Sequence, residues 1–428
     1  MFVFKERDIG TYDVCVAGGG VAGACAAIAA ARGGARVALV EPSGSLGGTL
    51  TEGFMPMLID IENKGGLVRE LYAFLNAHGM TLAKRGARTD EEGRRIPGEM
   101  VDTEGCKVFF DRLCREAGVT VLLYSRVCGV ETNGRTLSRV MLSTEGGMLT
   151  LAASLFVDAT GGGALSDLAG CAWACGDPET GHPSPLSLSV CTVGMPKTLD
   201  GTDCISDKDA YAAMLKEHGI TVSSEQVSVK RLPSLFSWNM GMNFEYGVLP
   251  DDILALSRAN AHAREEIFTF TEAQRSIDGF EDAFAAFTGA HIGVREGRRV
   301  YGDYRLTDAD ILEGRRFPDG ICLVTAGVDV HKLHATDTLD CVRGVRSQPY
   351  HIPYRALIAR DMDNLFLAGR CLSGDFYPHA SYRMMGNMAA TGEAVGFAAA
   401  QCVKQGKLPR EVDGTQVRAF MHTRGYEL

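Results

Sequence analysis

The amino-acid sequence predicts an α/β fold, and three stretches of the 428-residue chain carry that prediction. Residues 12–41 run through an apolar stretch, a glycine-rich turn, an alanine-rich stretch and a second apolar stretch, which indicates a strand, a helix and a parallel strand. Residues 119–158 alternate as short strands. Residues 185–290 mix helical and strand patterns. The sequence therefore predicts a Rossmann-like domain with a β-meander, followed by a segment of mixed helices and strands.

The glycine-rich turn has Gly-x-Gly-x-x-Gly spacing and predicts a dinucleotide site. Gly18 permits the tight turn, Gly20 lets a pyrophosphate approach the backbone, and Gly23 lets the helix sit close to the strand. The helix N-terminus, with Val21 and Ala22, would then face the phosphate. This unit leaves open whether the ligand is FAD or NAD.

The end of the second strand adds a carboxylate to the predicted site. Glu41 lies where it can accept hydrogen bonds from both ribose hydroxyls, and it would repel a ribose 2′-phosphate. Pro42 follows it, and the turn residues Gly47, Gly48 and Thr49 could bring backbone N–H groups to a phosphate or a flavin edge. We therefore expect this loop to be part of the cofactor site.

Composition narrows the class of protein. The 43 Lys and Arg against 53 Asp and Glu give a net charge of −10, which argues against nucleic acid as the main partner. The N-terminus does not resemble a signal peptide, and no apolar run reaches the length of a membrane span. The 13 Cys then indicate a reducing cytoplasm, and because no Cys-x-x-Cys occurs we expect no metal site.

Further elements follow from periodicity. Helices are predicted over residues 65–78 and 107–118, with an exposed loop over residues 83–99. In the middle of the chain, residues 186–194 read as a strand, and residues 207–218, 251–270 and 271–287 read as helices. A strand over residues 364–368 and a long Ala/Gly-rich helix after residue 389 complete the prediction.

Two blocks of sequence carry a resemblance to a known family. The first is residues 12–163, ending in the Ala-Thr-Gly turn at 159–161, and the second comprises residues 292–321 and 350–401. The chain resembles the FAD-dependent oxidoreductases related to the flavoprotein subunits of fumarate reductase and succinate dehydrogenase. The resemblance implies a two-dinucleotide-binding, FAD-binding fold with an inserted α+β cap domain. It places Thr160 and Gly161 at the cofactor and the backbone of Val127 against the adenine. No flavin-attachment motif is evident, so we expect noncovalent FAD.

The second block implies the flavin contacts. The strand 364–368 ends at Gly369 and Arg370, and residues 379–389 read HASYRMMGNMA before the last long helix. In similar proteins the backbone of this motif, here Gly386 and Asn387, lies against the isoalloxazine, and the helix N-terminus faces its O2 carbonyl. Met385 stands for a smaller residue and changes the flavin pocket. Arg370 stands where relatives place an acidic group that holds the ribityl hydroxyls.

The same motif implies candidate catalytic residues. Arg383 matches an arginine that clamps a substrate carboxylate in fumarate reductase-like enzymes; the alternative is that it pairs with the flavin or caps the sheet. His379 is a second candidate, with a structural role as its alternative. Neither alternative is decided by the sequence.

Other candidates lie upstream. His331 and His334 fall close to where the relatives carry a substrate-binding histidine, and we favour His331. On a helical turn both would share a face, and on a strand they would point oppositely. Arg295, Arg298 and Arg299 follow the predicted cap; one could donate a proton or clamp an anion, while a structural cationic cluster is the alternative.

The resulting prediction is an enzyme with three segments. Residues 1–184 form the first part of the FAD-binding domain, 185–290 the cap or substrate domain, and 291–428 the return to the FAD-binding domain. We expect a dehydrogenase or reductase that exchanges a hydride at flavin N5 with a small polar metabolite. No second Gly-x-Gly-x-x-Gly unit is visible, so the electron donor or acceptor stays unknown. The alternatives are a flavoprotein subunit of a larger electron-transfer complex and a protein that uses FAD structurally.

Overall fold

The computed structural model describes residues 6–83, 99–196, 208–224, 227–233, 237–337 and 344–428. The strands are β1 (Glu6–Ala17), β2 (Val37–Val40), β3 (Met57–Leu58), β4 (Thr81–Ala83), β5 (Glu99–Val101), β6 (Thr120–Leu122), β7 (Arg126–Asn133), β8 (Thr136–Thr144), β9 (Gly147–Asp158), β10 (Trp173–Ala174), β11 (Val190–Val193), β12 (Ser228–Arg231), β13 (Ser237–Gly241), β14 (Phe284–Thr288), β15 (Arg299–Val300), β16 (Gly320–Val324), β17 (Tyr350–Pro353) and β18 (Leu365–Leu367).

The helices follow the same order. They are α1 (Val21–Arg32), α2 (Gly66–Ala77), α3 (Thr103–Ala117), α4 (Ala164–Leu168), α5 (Lys208–Glu217), α6 (Ile253–Gln274), α7 (Asp308–Leu312), α8 (Phe376–Tyr382), α9 (Met385–Gln405) and α10 (Gly414–Thr423). Short 3-10 helices span Gly48–Leu50, Tyr354–Leu357, Gly369–Cys371 and Pro409–Glu411.

A seven-stranded sheet forms the centre of the fold. Its strand order is β6-β2-β1-β9-β8-β7, and β18 also pairs with β9. The pairs β1–β2, β1–β9, β2–β6 and β9–β18 are parallel. The apolar run at Val14–Ala17 is fully buried in it, as a central parallel strand requires. The predicted Rossmann-like α/β fold is therefore confirmed.

The antiparallel part of this sheet is the meander. β7 pairs with β8 and β8 with the first half of β9, so β9 belongs to both parts. The single strand predicted from residue 119 onward is divided in the structure. β6 stays in the parallel part, β7 starts the meander, and Tyr124 between them has a left-handed φ of +54°. No glycine marks that bend, which is why the pattern did not reveal it.

The helices α1 and α9, both rich in Ala and Gly, pack against each other and bring the N-terminal and C-terminal parts of the chain together. α9 packs along α1 so closely that a Cβ on Gly392 would lie 2.1 Å from the Ala22 carbonyl oxygen. A Cβ on Gly396 would lie 2.3 Å from the Ala26 carbonyl oxygen. This contact brings the N-terminus of α9 to the same side of the sheet as the N-terminus of α1.

The middle of the chain builds a second hydrophobic cluster. A four-stranded antiparallel sheet, β12-β13-β11-β14, packs with α6 through residues such as Val190, Trp238 and Ile267. The helix predicted over residues 271–287 is wrong beyond its first four residues. α6 ends at Gln274, and Phe284–Thr288 is the strand β14, because its backbone pairs with β11. The three-segment division stays a prediction.

Residues 83–118 contain one predicted helix and one predicted loop. The helix predicted from residue 107 starts at Thr103, where the Asp102 carboxylate caps it by accepting a hydrogen bond from the Gly105 N–H at 2.9 Å. The loop predicted over residues 83–99 lies almost entirely outside the described residues.

Candidate functional site

The turn between β1 and α1 depends on the absence of side chains. Gly18 has a φ of +95°, and a Cβ there would lie 2.5 Å from the Ala159 carbonyl oxygen. A Cβ on Gly23 would lie 1.8 Å from the Gly18 carbonyl oxygen, so α1 sits directly against the turn. Gly20 precedes α1 in an extended conformation, and Val21 is its first residue. Because the turn carries no side chains at these glycines, an anion can approach the N-terminus of α1 closely.

A second glycine loop lies on this turn. The Gly47 N–H donates to the Gly19 carbonyl oxygen at 2.8 Å, and Gly47 has a φ of +106°. A Cβ on Gly48 would lie 2.9 Å from the Cα of Gly20. Thr49, in the short 3-10 helix that follows, is half-buried. The two loops therefore form one backbone surface beside the first turn of α1.

Glu41 fixes the geometry of both loops. Its side chain is buried, Oε2 accepts a hydrogen bond from the Gly19 N–H at 2.6 Å, and Oε1 accepts bonds from the backbone N–H and hydroxyl of Ser43 at 2.8 and 2.7 Å. A carboxylate oxygen can accept a further bond, so Oε2 keeps capacity for a ribose hydroxyl. Pro42 is exposed beside it. The ribose contact stays a prediction.

The end of β9 forms the third side of the site. The buried Asp158 carboxylate accepts bonds from the Thr160 N–H at 3.1 Å and the Thr160 hydroxyl at 2.7 Å, which shapes the turn. Gly161 follows with a φ of +71°. The meander approaches from the other side, because the Ser125 N–H donates to the Glu41 carbonyl oxygen at 3.0 Å. Val127, half-buried on β7, lies two residues beyond this bond.

The C-terminal block meets these loops. Gly369 has a φ of +84°, and a Cβ there would lie 3.0 Å from the Cβ of Ala22 in α1. The guanidinium of Arg370 lies over Gly161, where an added Cβ would be 2.6 Å from Nη2. Burial, and then the neighbouring Arg383, lower the pKa of Arg370 to about 10. Glycine-rich loops, a helix N-terminus and a nearby cation together fit a dinucleotide such as FAD.

The N-terminus of α9 is held by residues 59–60. The Gly386 N–H donates to the Ile59 carbonyl oxygen at 3.0 Å, and the Asn387 Nδ2 donates to the Asp60 Oδ2 at 2.8 Å. Met385 at the start of the helix is half-buried. The Asn387 side chain is thus bonded within the protein, and a flavin contact there would come from backbone.

Asp60 and Lys64 form a buried ion pair that sequence reasoning missed. Lys64 is 1% exposed; its Nζ lies 3.2 Å from the Asp60 Oδ1 and donates to the Leu323 carbonyl oxygen at 2.7 Å. Burial would raise the pKa of Asp60, but Lys64 and the bonds from Thr325 and Asn387 hold it below its usual value. The only sequence signal was the i,i+4 spacing, which is ordinary on exposed helices.

Arg383 is part of a charged group near the start of α9. Its Nη2 donates to the Asp329 carbonyl oxygen at 2.8 Å and lies 2.9 Å from Oδ2 of the same residue. The Nε2 of His331 lies 3.7 Å from the Asp329 Oδ1. Burial would raise the pKa of Asp329, but Arg383, His331, Arg295 and Lys230 lower it. The structure therefore brings the predicted Arg383 and His331 together through Asp329.

The segment after the predicted cap contributes Arg295. Its Cζ lies 5.0 Å from the ring centroid of Phe244, and that ring lies 4.9 Å from the ring of His331. Burial, and then Arg383, lower the pKa of Arg295 to about 10. Its Nη1 donates to the Pro185 carbonyl oxygen at 2.7 Å, whereas Arg298 and Arg299 pair with the carboxylates of Asp251 and Glu296 respectively. Of the three arginines, Arg295 is the one that adjoins Asp329.

The remaining histidines differ in position. His379 on α8 is 2% exposed, and its Nε2 has no hydrogen-bond partner among the described residues. Burial, and then the positive charges of Arg299, Arg383 and Arg370, hold its pKa well below the usual value. His334 is exposed and contacts Thr336. Because the segment 325–334 is neither helix nor strand, the predicted geometry of the pair 331 and 334 does not apply.

One group of side chains in the described part of the chain has metal-ligand spacing. The ligand atoms of Glu245, His262 and Glu266 lie within 4.8 Å of one another. The His262 side chain is exposed, and the predicted absence of a metal site stays a prediction.

The comparison with family models decides the class. The model described as FAD dependent oxidoreductase matches residues 13–421, almost the whole chain. The chain belongs to the FAD-dependent oxidoreductase family. The predictions of an oxidoreductase and of an FAD cofactor are therefore confirmed at the level of the family. A comparison with curated proteins gives no match.

Solved structures share the fold of this oxidoreductase. One is p-nitrophenol 4-monooxygenase PnpA from Pseudomonas putida DLL-E4, with a TM-score of 0.51 and 12% identity over 96% of this chain and 84% of that chain. Another is the flavin-dependent brominase Bmp2, with a TM-score of 0.51 and 13% identity over 96% of this chain and 83% of that chain. At these identities the likeness concerns the fold alone. Of the helices in the described ranges, none has both the length and the hydropathy that a membrane crossing needs.

Proposed function

We propose that this FAD-dependent oxidoreductase exchanges a hydride with a small polar metabolite that carries a carboxylate. The observation behind the proposal is the position of Arg383. Asp329 holds one nitrogen of its guanidinium, while Nη1 and Nε make no hydrogen bond with the described residues. These N–H groups are therefore available to an anion, and Arg295 adds a second positive charge nearby.

His331 is placed to accept or donate the proton that accompanies the hydride exchange. When bound, FAD supplies the two-electron acceptor or donor through its N5. Oxidation of a hydroxyl-bearing substrate carbon would pass a hydride to that acceptor and free a proton from the oxygen, and the neutral imidazole of His331 would accept that proton. In the reverse direction the imidazolium would return it. Asp329, 3.7 Å from Nε2, would stabilise the imidazolium form.

The finer family relationship belongs to this proposal. The resemblance to the flavoprotein subunits of fumarate reductase and succinate dehydrogenase rests on residues 12–163, 292–321 and 350–401, and the motif at residues 379–389 contains Arg383. The assignments of Gly386, Asn387 and the loops around α1 to FAD are proposals of the same kind. So are a cytoplasmic location and the absence of a membrane or nucleic-acid partner.

Anaerobic titration of the purified holoprotein with hydroxy acids tests the function. We expect bleaching of the flavin absorbance without a nicotinamide cofactor, or reoxidation of dithionite-reduced protein by an unsaturated acid. Arg383→Ala should then lose about 10- to 100-fold in kcat/KM, as expected for a lost charge-assisted hydrogen bond. Arg139→Ala is the matched control, because Arg139 lies on the meander and its ion pairs are longer. Full turnover by Arg383→Ala would contradict the clamp.

The same titration separates hydride exchange from oxygen chemistry. PnpA is by its name a monooxygenase, and an enzyme of that class uses a separate reductant and oxygen. Flavin that is reduced only by a nicotinamide cofactor and reoxidised by oxygen together with substrate would therefore overturn the proposed exchange with substrate.

A further inference from the structure

Arg370 is a positive charge at the cofactor loops, and none of the described carboxylates forms an ion pair with it. Its guanidinium packs over Gly161, whose φ of +71° leaves that space free of a side chain. No hydrogen bond or ion pair of this guanidinium occurs within the described ranges, although the residue is only partly exposed. Of the other arginines near the site, Arg298, Arg299 and Arg383 each have a carboxylate partner, and Arg295 donates from Nη1 to the Pro185 carbonyl oxygen at 2.7 Å.

Two contacts of neighbouring residues define where Arg370 lies. Gly369 packs against Ala22 in the first turn of α1, and the turn of Gly161 follows Ala159, whose carbonyl oxygen adjoins Gly18. Arg370 therefore lies between the N-terminus of α1 and the end of β9. The glycine turn of residues 18–20 leads into α1, and the turn of residues 159–163 follows β9, so both turns adjoin Arg370.

The charge balance of the site calls for a cation at this position. Residues 18–24, 41–49 and 159–163 form the three loops and contain no Lys or Arg, while they do contain the carboxylate of Glu41. The N-terminus of α1 contributes only about half a positive charge. Desolvating a guanidinium beside Arg383 costs free energy unless a ligand anion compensates it.

We propose that Arg370 binds the diphosphate of FAD and is the positive charge that the glycine loops lack. This inference rests on the family's cofactor and extends the proposed function to a specificity determinant for the dinucleotide form of the flavin. A planar guanidinium selects for phosphate oxygens, because it can donate two parallel hydrogen bonds to them.

The test compares FAD with riboflavin, which has the same ring and ribityl chain but no phosphate. Full-length protein is stripped of FAD, and dissociation constants for both flavins are measured by flavin fluorescence in wild type, Arg370→Met, Arg370→Lys and the control Arg139→Met. We expect Arg370→Met to weaken FAD binding by about 10- to 100-fold, with riboflavin changed by less than about threefold. Arg370→Lys should keep most of the FAD affinity because it keeps the charge.

Salt provides a second readout. The wild-type affinity for FAD should fall more steeply with ionic strength than that of Arg370→Met, since one charge contact is missing in the variant. Circular dichroism of the stripped proteins checks the fold, and Arg370→Gln replaces the methionine variant if that one does not fold.

Two results would overturn the inference. An unchanged FAD affinity in the neutral variant would mean that Arg370 serves another anion, such as a substrate carboxylate. An equal loss for FAD and riboflavin would mean a role in shaping the flavin pocket. Neither readout involves turnover, so a failure of the hydride-exchange proposal would leave this result unaffected.

Discussion

At the scale of single residues, Asp60 and Lys64 combine two costly features. Asp60 adopts a left-handed φ of +59°, which is strained for a residue with a side chain, and Lys64 is buried with it. Asp60 also accepts bonds from the N–H groups of Thr325 and Ala326, both at 3.1 Å. The pair therefore fixes residues 59–64, the segment after β16 and, through Asn387, the start of α9.

Breaking this pair should destabilise the protein strongly. Lys64→Met leaves the Asp60 carboxylate buried without its cation, and we expect a loss of about 3–5 kcal/mol in the free energy of unfolding. The measurement is denaturant unfolding of the holoprotein. Lys107→Met, which removes a partly exposed pair with Glu104, should change stability by less than about 1 kcal/mol.

A double variant completes this test. In Lys64→Met with Asp60→Asn the uncompensated charge is gone, so the loss should be smaller than the sum of the single losses. Strict additivity of the two single changes would show that the ions do not interact.

The chemistry of these residues could be predicted only in part. Gly18, Gly23 and Glu41 were visible because their roles follow from spacing along one strand, helix and strand. Asp329 and Phe244 were not, since they meet Arg383 and Arg295 only in three dimensions and carry no local pattern. The partner that makes Arg383 and His331 neighbours was therefore beyond the sequence.

At the scale of elements, the contact between α1 and α9 decides where the cofactor loops meet. Both helices expose glycine or alanine to each other, and the backbones approach within the reach of a single Cβ. Such helices have weak amphipathic patterns, so their packing partner is not readable from periodicity. The strand β14 shows the opposite difficulty. Its sequence fits a helix, and only pairing with β11 makes it a strand.

A methyl group in this contact should force the helices apart. Gly392→Ala places a Cβ 2.1 Å from the Ala22 carbonyl oxygen, and we expect about 1–3 kcal/mol of destabilisation together with weaker FAD binding. Thermal unfolding and flavin release measure the two effects. Gly241→Ala is the control, because its added Cβ meets nothing within 4 Å. Equal stability of Gly392→Ala and wild type would contradict the close contact.

At the scale of the whole molecule, the end of the chain closes around its beginning. The Gly66 N–H donates to the Arg424 carbonyl oxygen at 2.8 Å, and the Tyr426 hydroxyl donates to Glu393 of α9 at 2.7 Å. The Glu393 carboxylate also accepts a bond from the Leu67 N–H at 2.9 Å. The first and last segments are therefore parts of one folded body.

His351 should make the stability of the protein fall in mild acid. It is buried on β17, and burial followed by the charges of Arg316 and Arg418 lowers its pKa to about 4. The unfolded chain binds a proton near pH 6.5, so between these values the unfolded state holds more protons and stability decreases as pH decreases. The contribution is at most about 1.4 kcal/mol per pH unit.

The variant His351→Gln tests this dependence. Its unfolding free energy should change less than that of wild type between pH 6.5 and pH 4, while His422→Gln, on the exposed face of α10, should behave like wild type. Denaturant unfolding at several pH values gives the comparison. Identical pH profiles for wild type and His351→Gln would exclude the proposed role of this histidine.

The central claim is that one chain builds a noncovalent FAD site from its glycine loops and the helix α9. The most direct measurement is the flavin content of the purified protein, with the flavin released by denaturation and identified by chromatography. We expect one FAD per chain, and denaturation should release all of it into solution. Protein that stays colourless after reconstitution with FAD, or flavin that remains attached to the denatured chain, would contradict it.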